Sequence, residues 1–223
     1  MLTPRTLIAR SLFGFVLLSA LVGRAQTFTT SNLTQPLVDP DFVRRTPDDG
    51  ADYVISYGSA FVTGSDSSIL NGISLALASG GSYGSGFTVT VHQLSGEMPG
   101  AVLETLSGSG SPTTGGTYDF TSAGLSLEAN TTYAIVASVS APSYGRFNIQ
   151  RTVSNGETGS AGWSVADLGY QFYDDAWHTD PAKLVFSVSA GVSAVPEPST
   201  WAALVGACAL GATVLVRRQR RAA

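Results

Sequence analysis

GFTVTVHQL, from Gly86 to Leu94, is the stretch on which the fold turns. Phe87, Val89 and Val91 take alternate positions, and Thr88, Thr90 and His92 fill the gaps. A period of two puts the first set on one face of an extended chain and the second set on the other. The stretch therefore predicts a half-buried strand, apolar inside and polar outside, with His92 as a surface residue. TYAIVASVS (Thr132–Ser140) extends the pattern. Tyr133, Ile135, Ala137 and Val139 share one face, while Ala134 and Val136 make the start of the other face apolar too, as a covered central strand requires. GISLALA (Gly72–Ala78) and KLVFSVSA (Lys183–Ala190) read the same way.

Weaker strands are expected over YVISYGSAF (Tyr53–Phe61), AVLETLSG (Ala101–Gly108), TYDF (Thr117–Phe120), RFNIQRT (Arg146–Thr152) and LGYQFYD (Leu168–Asp174). Between them lie dense breakers: SGGSYGSG (Ser79–Gly86), SGEMPG (Ser95–Gly100), SGSGSPTTGG (Ser107–Gly116), EANT (Glu128–Thr131) and SNGETGSAG (Ser154–Gly162). In EANT, Asn130 suits a tight turn because it tolerates left-handed backbone. No body segment carries a helical period. Short strands with turns at such close intervals predict an all-β fold, an antiparallel β-sandwich of jelly-roll kind, over residues 26–190.

The chain's one cysteine, Cys208, lies outside that body, so the body has no disulfide and must rely on its core. Within the body, Arg44, Arg45, Arg146, Arg151 and Lys183 stand against fifteen carboxylates, a net charge near −10. Bulk electrostatics therefore exclude nucleic acid as a partner.

Both ends differ from the body. Residues 1–25 carry Arg5 and Arg10, an apolar run from Ser11 to Gly23, and Gly23-Arg24-Ala25 with small residues at −3 and −1 of a cleavage site. They predict a signal peptide, with an uncleaved anchor as the competing reading. Residues 201–216 hold no charge and have no polar face, which predicts a transmembrane helix rather than a terminal core helix. Arg217, Arg218, Arg220 and Arg221, in the basic tail 217–223, would stop it on the cytoplasmic side. Cys208 is expected as an apolar filler within the span. Residues 191–200 form a linker containing Val195-Pro196-Glu197-Pro198, which two prolines keep out of helix and sheet.

The ordered set of VPEP, short span and arginine cluster resembles the PEP-CTERM sorting class of Gram-negative bacteria. The resemblance covers about the last thirty residues. It implies export through the Sec translocon, cleavage by signal peptidase and temporary anchoring in the inner membrane. An exosortase would then process the tail at Val195 to Pro198. The product would be a cell-surface or extracellular-matrix protein associated with exopolysaccharide or biofilm. In the body, VTVHQLSGEMPGAVLETLSG (Val89–Gly108), YDFTSAGLSLEANTTYAIVAS (Tyr118–Ser138) and AWHTDPAKLVFSVSA (Ala176–Ala190) resemble, in that order, the choice-of-anchor R type of surface domain. That resemblance implies no catalytic residues.

Chemistry-bearing residues are few. YDDAWHTD (Tyr173–Asp180) places His178 near Asp174, Asp175 and Asp180, as a metal or acid–base cluster or as a polar hairpin loop with Trp177 packed on the sandwich. Asp39, Asp41, Asp48, Asp49 and Asp52 are the candidates for a structural Ca²⁺, with a solvated acidic loop as the plainer reading. No nucleophile elbow, zinc motif or phosphate loop is present. No cofactor and no enzyme activity are expected. The alternative to a structural surface protein is a carbohydrate-binding module, for which Trp163 and Trp177, beside predicted loops, are the aromatic candidates. Asn32-Leu33-Thr34 and Asn130-Thr131-Thr132 match glycosylation acceptors, but the turn role is preferred for Asn130.

Overall fold

The computed structural model describes residues 27–48, 51–154 and 158–192. The expected signal peptide, VPEP motif, membrane span, Cys208 and arginine cluster lie outside these residues, as does Asp49. The described residues contain strands and no α-helix.

The strands are β1 (Thr27–Ser31), β2 (Val38–Asp48), β3 (Ala51–Val62), β4 (Ser68–Leu77), β5 (Tyr83–Gly84), β6 (Phe87–Ser95), β7 (Met98–Thr105) and β8 (Gly116–Thr121). Then follow β9 (Ser126–Leu127), β10 (Thr132–Val139), β11 (Gly145–Thr152), β12 (Thr158–Gly159), β13 (Ser164–Tyr173), β14 (Ala176–Asp180), β15 (Lys183–Leu184) and β16 (Phe186–Val192). The fold is all-β, and the paired strands run antiparallel. One group runs in the order β12-β1-β16-β4-β11-β2, and the other in the order β14-β13-β3-β10-β6-β7. β3 joins them. Its first half, Ala51–Ile55, pairs with β2, and its second half pairs with β10 and β13.

The two groups meet through their apolar faces. Phe28 of β1 stacks on Trp163 at 6.0 Å, Trp163 on Phe61 of β3 at 6.1 Å, and Phe61 on Tyr133 of β10 at 5.8 Å. Phe87 of β6 packs against Phe120 of β8 and Phe147 of β11. The alternation in FTVTV thus does what its period dictates. Phe87, Val89 and Val91 enter this core, each such side chain contributing about 1.5–3 kcal/mol by leaving water.

Several expectations need correction. Strands at Thr27–Ser31 and Val38–Asp48 precede the expected start of β-structure near Tyr53. SGEMPG is loop only at Gly96-Glu97: Ser95 pairs with Met98, Gly96 has φ 64°, and Pro99 and Gly100 belong to β7. β7 ends its group, and an edge strand tolerates a proline without loss of a ladder bond. YDDAWHTD is a hairpin whose turn is only Asp174-Asp175, both at positive φ. KLVFSVSA breaks at Val185 into β15 and β16, and β16 runs to Val192, into the stretch expected as linker.

The turn at Asn130 has the expected left-handed backbone, φ 49°. Thr63 fixes it, donating from Oγ1 to the Glu128 carbonyl at 2.6 Å and accepting from the Thr131 amide at 2.9 Å.

Candidate functional site

The second strand group buries both faces unevenly. Ala60, Ala134 and Tyr170 are buried on the side away from the main core, with Leu94, Met98, Leu168 and Trp177 packed on them. The edge strands β7 and β14 come into contact over this side, so the sheet curls into a trough. At the trough's open end lies a groove of about 360 Å³.

Sheet register builds the groove. Trp177 pairs with Phe172 and Phe172 with Ser56. One step beyond the Ala137–Tyr57 pair, Ser138 falls beside Ser56, and Ser138 pairs with Thr88. These five residues form a row across β14, β13, β3, β10 and β6. At about 4.8 Å between strands the row is about 19 Å long. Two aromatic rings stand at one end and three hydroxyl-bearing residues follow. Thr90, His92 and Thr105 extend the polar lining, and no Asp, Glu, Lys or Arg lines it. Trp177 is half-buried and is held edge-on by Phe172 at 5.3 Å and Tyr170 at 6.4 Å. Burial, with the charge of Glu97 adding to it, pushes the Tyr170 hydroxyl up to about 12.

His92 is only 7% exposed, which corrects its reading as a surface residue. Its Nδ1 lies 2.9 Å from the Gly100 carbonyl and its Nε2 2.8 Å from Thr90 Oγ1. The curled edge strand covers what would be an open face on a flat sheet. Burial lowers its pKa, partly opposed by the Gly100 carbonyl.

The two tryptophan candidates part company. Trp177 is on the groove wall. Trp163 is 3% exposed and stacked between Phe28 and Phe61, so its ring faces are taken by the core. The loops beside it close over the ring: a Cβ at Gly64 would meet the Ala161 carbonyl oxygen at 2.2 Å, and one at Gly159 would meet that of Trp163 at 2.0 Å.

Among the described carboxylates of the candidate clusters, Asp41, Asp52 and Asp180 are committed to arginine partners. Asp180 pairs with Arg151 at 2.8 Å and accepts from the Ala182 amide, while His178 stacks on Tyr173 at 4.1 Å. Asp41 pairs with Arg151 at 3.1 Å and accepts from the Tyr57 hydroxyl at 2.5 Å. Gln171 Nε2 donates to that same hydroxyl. Burial first, then Asp41, raises the Tyr57 pKa. This polar network ties β2, β3, β11, β13 and β14 together. Asp52 is held by Arg45 and by the Tyr144 hydroxyl, with the Arg45 hydrogen bond keeping its carboxyl below the usual range. Asp39 is exposed. Among the described residues no group of His, Cys, Asp and Glu is arranged to hold a metal ion.

Asn32, a matched glycosylation acceptor, is fully buried. Its Nδ2 donates to the Leu184 carbonyl at 2.9 Å and its Oδ1 accepts from the Phe186 amide at 2.7 Å. It substitutes for a ladder pair at the break between β15 and β16.

No family model matches the chain, and no curated protein matches it. Among solved structures it is similar to the cysteine protease and lectin-like domains of Cwp84, a surface layer associated protein of Clostridium difficile. Identity is 14% and the TM-score 0.42, over 72% of this chain and 37% of that chain, so this chain spans little more than a third of that one. A likeness so distant carries no inference about function.

Proposed function

We propose that this chain is an exported, non-catalytic cell-surface or extracellular-matrix protein with a body of jelly-roll sandwich type. Its tail is sorted by an exosortase through Val195 to Pro198, and the body associates with exopolysaccharide. The observation that carries the body's part is the groove, an uncharged row of hydroxyls ending on Trp177 and Phe172. Its one histidine supports a binding role over a chemical one, because both ring nitrogens are already engaged by Gly100 and Thr90. Replacing Pro196, Glu197 and Pro198 with alanine tests the sorting. Intact mass and cell fraction should show the tail removed near Val195 in the wild type and retained in the membrane in the variant. A tail kept in both sinks the sorting assignment.

The groove also supports the narrower reading of a carbohydrate-binding module. Neutral sugars suit a lining with no charge and an aromatic wall. On that reading Trp177→Ala and Ser138→Trp abolish binding to a neutral glycan, while Trp163→Ala acts only through stability. A glycan panel that finds no ligand, or a ligand indifferent to Ser138→Trp, removes this reading and leaves the first.

A further inference from the structure

Most of the body's cations are neutralised. Arg45 is paired with Asp52, Arg151 with Asp41 and Asp180, and Lys183 with Asp167. Arg44 and Arg146 differ. Among the described residues neither has a carboxylate within ion-pair distance, in a body that carries fifteen. They are also Cα partners across β2 and β11. Like charges placed directly opposite each other on antiparallel strands are destabilising.

Aromatic rings hold the two guanidiniums. Arg146 lies 3.9 Å from the centroid of the Phe42 ring, and Arg44 lies 4.5 Å from that of Tyr53 and 5.5 Å from that of Phe42. The Nε of each is buried and has no acceptor among the described residues. Exposed tyrosines gather at the same place. Tyr83, 56% exposed, is the Cα partner of Arg146 on its other side. Tyr144, 47% exposed, stands two residues before Arg146, and Tyr53 is 37% exposed. Tyr173 is the one other tyrosine this open among the described residues.

We propose that Arg44 and Arg146, flanked by Tyr53, Tyr83 and Tyr144, form a binding site for a carboxylate-bearing sugar, a uronate unit of an acidic polysaccharide. Guanidinium groups match carboxylates in a two-bond fork, and the neighbouring rings offer apolar faces to a sugar. The acidic body opposes polyanions at a distance, but salt confines that field to about 8 Å, so the two arginines act locally. Asp52, the nearby carboxylate, is occupied by Arg45 and the Tyr144 hydroxyl. The site lies on β2, the start of β3, β5 and β11 with Tyr144 just before it, and shares no residue with the groove. It rests on the reading that the body meets polysaccharide outside the cell.

Affinity electrophoresis of the full chain in neutral detergent tests it, with gels containing polygalacturonate, its carboxyl-reduced form, or a neutral glucan. Retardation is expected with polygalacturonate alone, weakening as salt is raised. Arg44→Gln with Arg146→Gln should lower the affinity at least about tenfold, and the Lys pair should fall between. Tyr83→Ala, on an exposed two-residue strand, should weaken retardation without changing the melting temperature. Ser138→Trp should leave it unchanged. Equal retardation by the carboxyl-reduced polymer, or none lost in the Gln pair, overturns the site. Loss in Ser138→Trp moves the ligand to the groove and also overturns it. Absent retardation of a chain whose tail is still processed refutes this site alone, since sorting is read from mass and cell fraction.

Discussion

Thr90 and His92 are joined in the groove by a hydrogen bond of 2.8 Å whose direction is set by a third group. The Gly100 carbonyl can only accept, so Nδ1 of His92 carries the proton. In the neutral ring Nε2 then accepts from the Thr90 hydroxyl. Protonation of the ring would put a proton on Nε2 and force that hydroxyl to turn.

This arrangement predicts a pH dependence. Burial holds the His92 pKa below its ordinary 6.5. As pH falls, the unfolded chain takes up this proton before the folded one does, so stability rises with pH across that interval. The contribution is intact above about 6.5 and is lost progressively from there down to the folded pKa. Melting temperatures at stepped pH should therefore fall more steeply in wild type than in His92→Gln. Parallel curves would refute the assignment.

Trp163 and Trp177 should separate in experiment. Trp163→Ala removes the middle ring of a buried stack and should cost about 3–5 kcal/mol in urea unfolding. Trp177→Ala should cost less, because that ring is half-buried. In single-tryptophan variants acrylamide should quench Trp177 and spare Trp163; equal quenching would contradict the core placement.

Asn32 should behave as a structural residue. Asn32→Ala leaves the Leu184 carbonyl and the Phe186 amide without their partner, at about 1–3 kcal/mol for each buried group. Denaturant midpoints should shift accordingly. A neutral substitution would show that water serves these groups equally well.

β4 and β6 were legible in the sequence because each carries a period of two, and β10 because apolar residues on both faces mark a covered strand. β2 was not: it holds Pro40, Pro47 and several charges, and no alternation announces it. Its ladder with β11 accommodates Pro40 by slipping register between Ile149 and Arg151, opposite the Val38–Asp41 stretch. Ala176–Asp180 reads as loop for a similar reason, since Trp177 is its one large apolar residue. The groove was legible in part. Thr88, Thr90 and His92 declare a polar face, but Ser56, Ser138 and Phe172 join it only through register across four strands. Trp163 misled because nearness to a loop in sequence says nothing of depth in the core.

The pairing of the first strand with the last has a mechanical consequence. β16 lies between β1 and β4 and bonds to both, with Thr27 beside Gly191. Ser31 sits at the other end of this ladder, opposite Ser187, so tension between Val192 and Ser31 draws β1 and β16 past each other along their axes, and ladder bonds that cross those axes bear the load together. Tension between Thr27 and Val192 instead peels β1 from β16 one bond at a time. Single-molecule pulling between Val192 and Ser31 should therefore rupture at higher force than pulling between Val192 and Thr27; the reverse order would refute this. The body resists the sliding of its first and last strands past each other and yields when their neighbouring ends are parted.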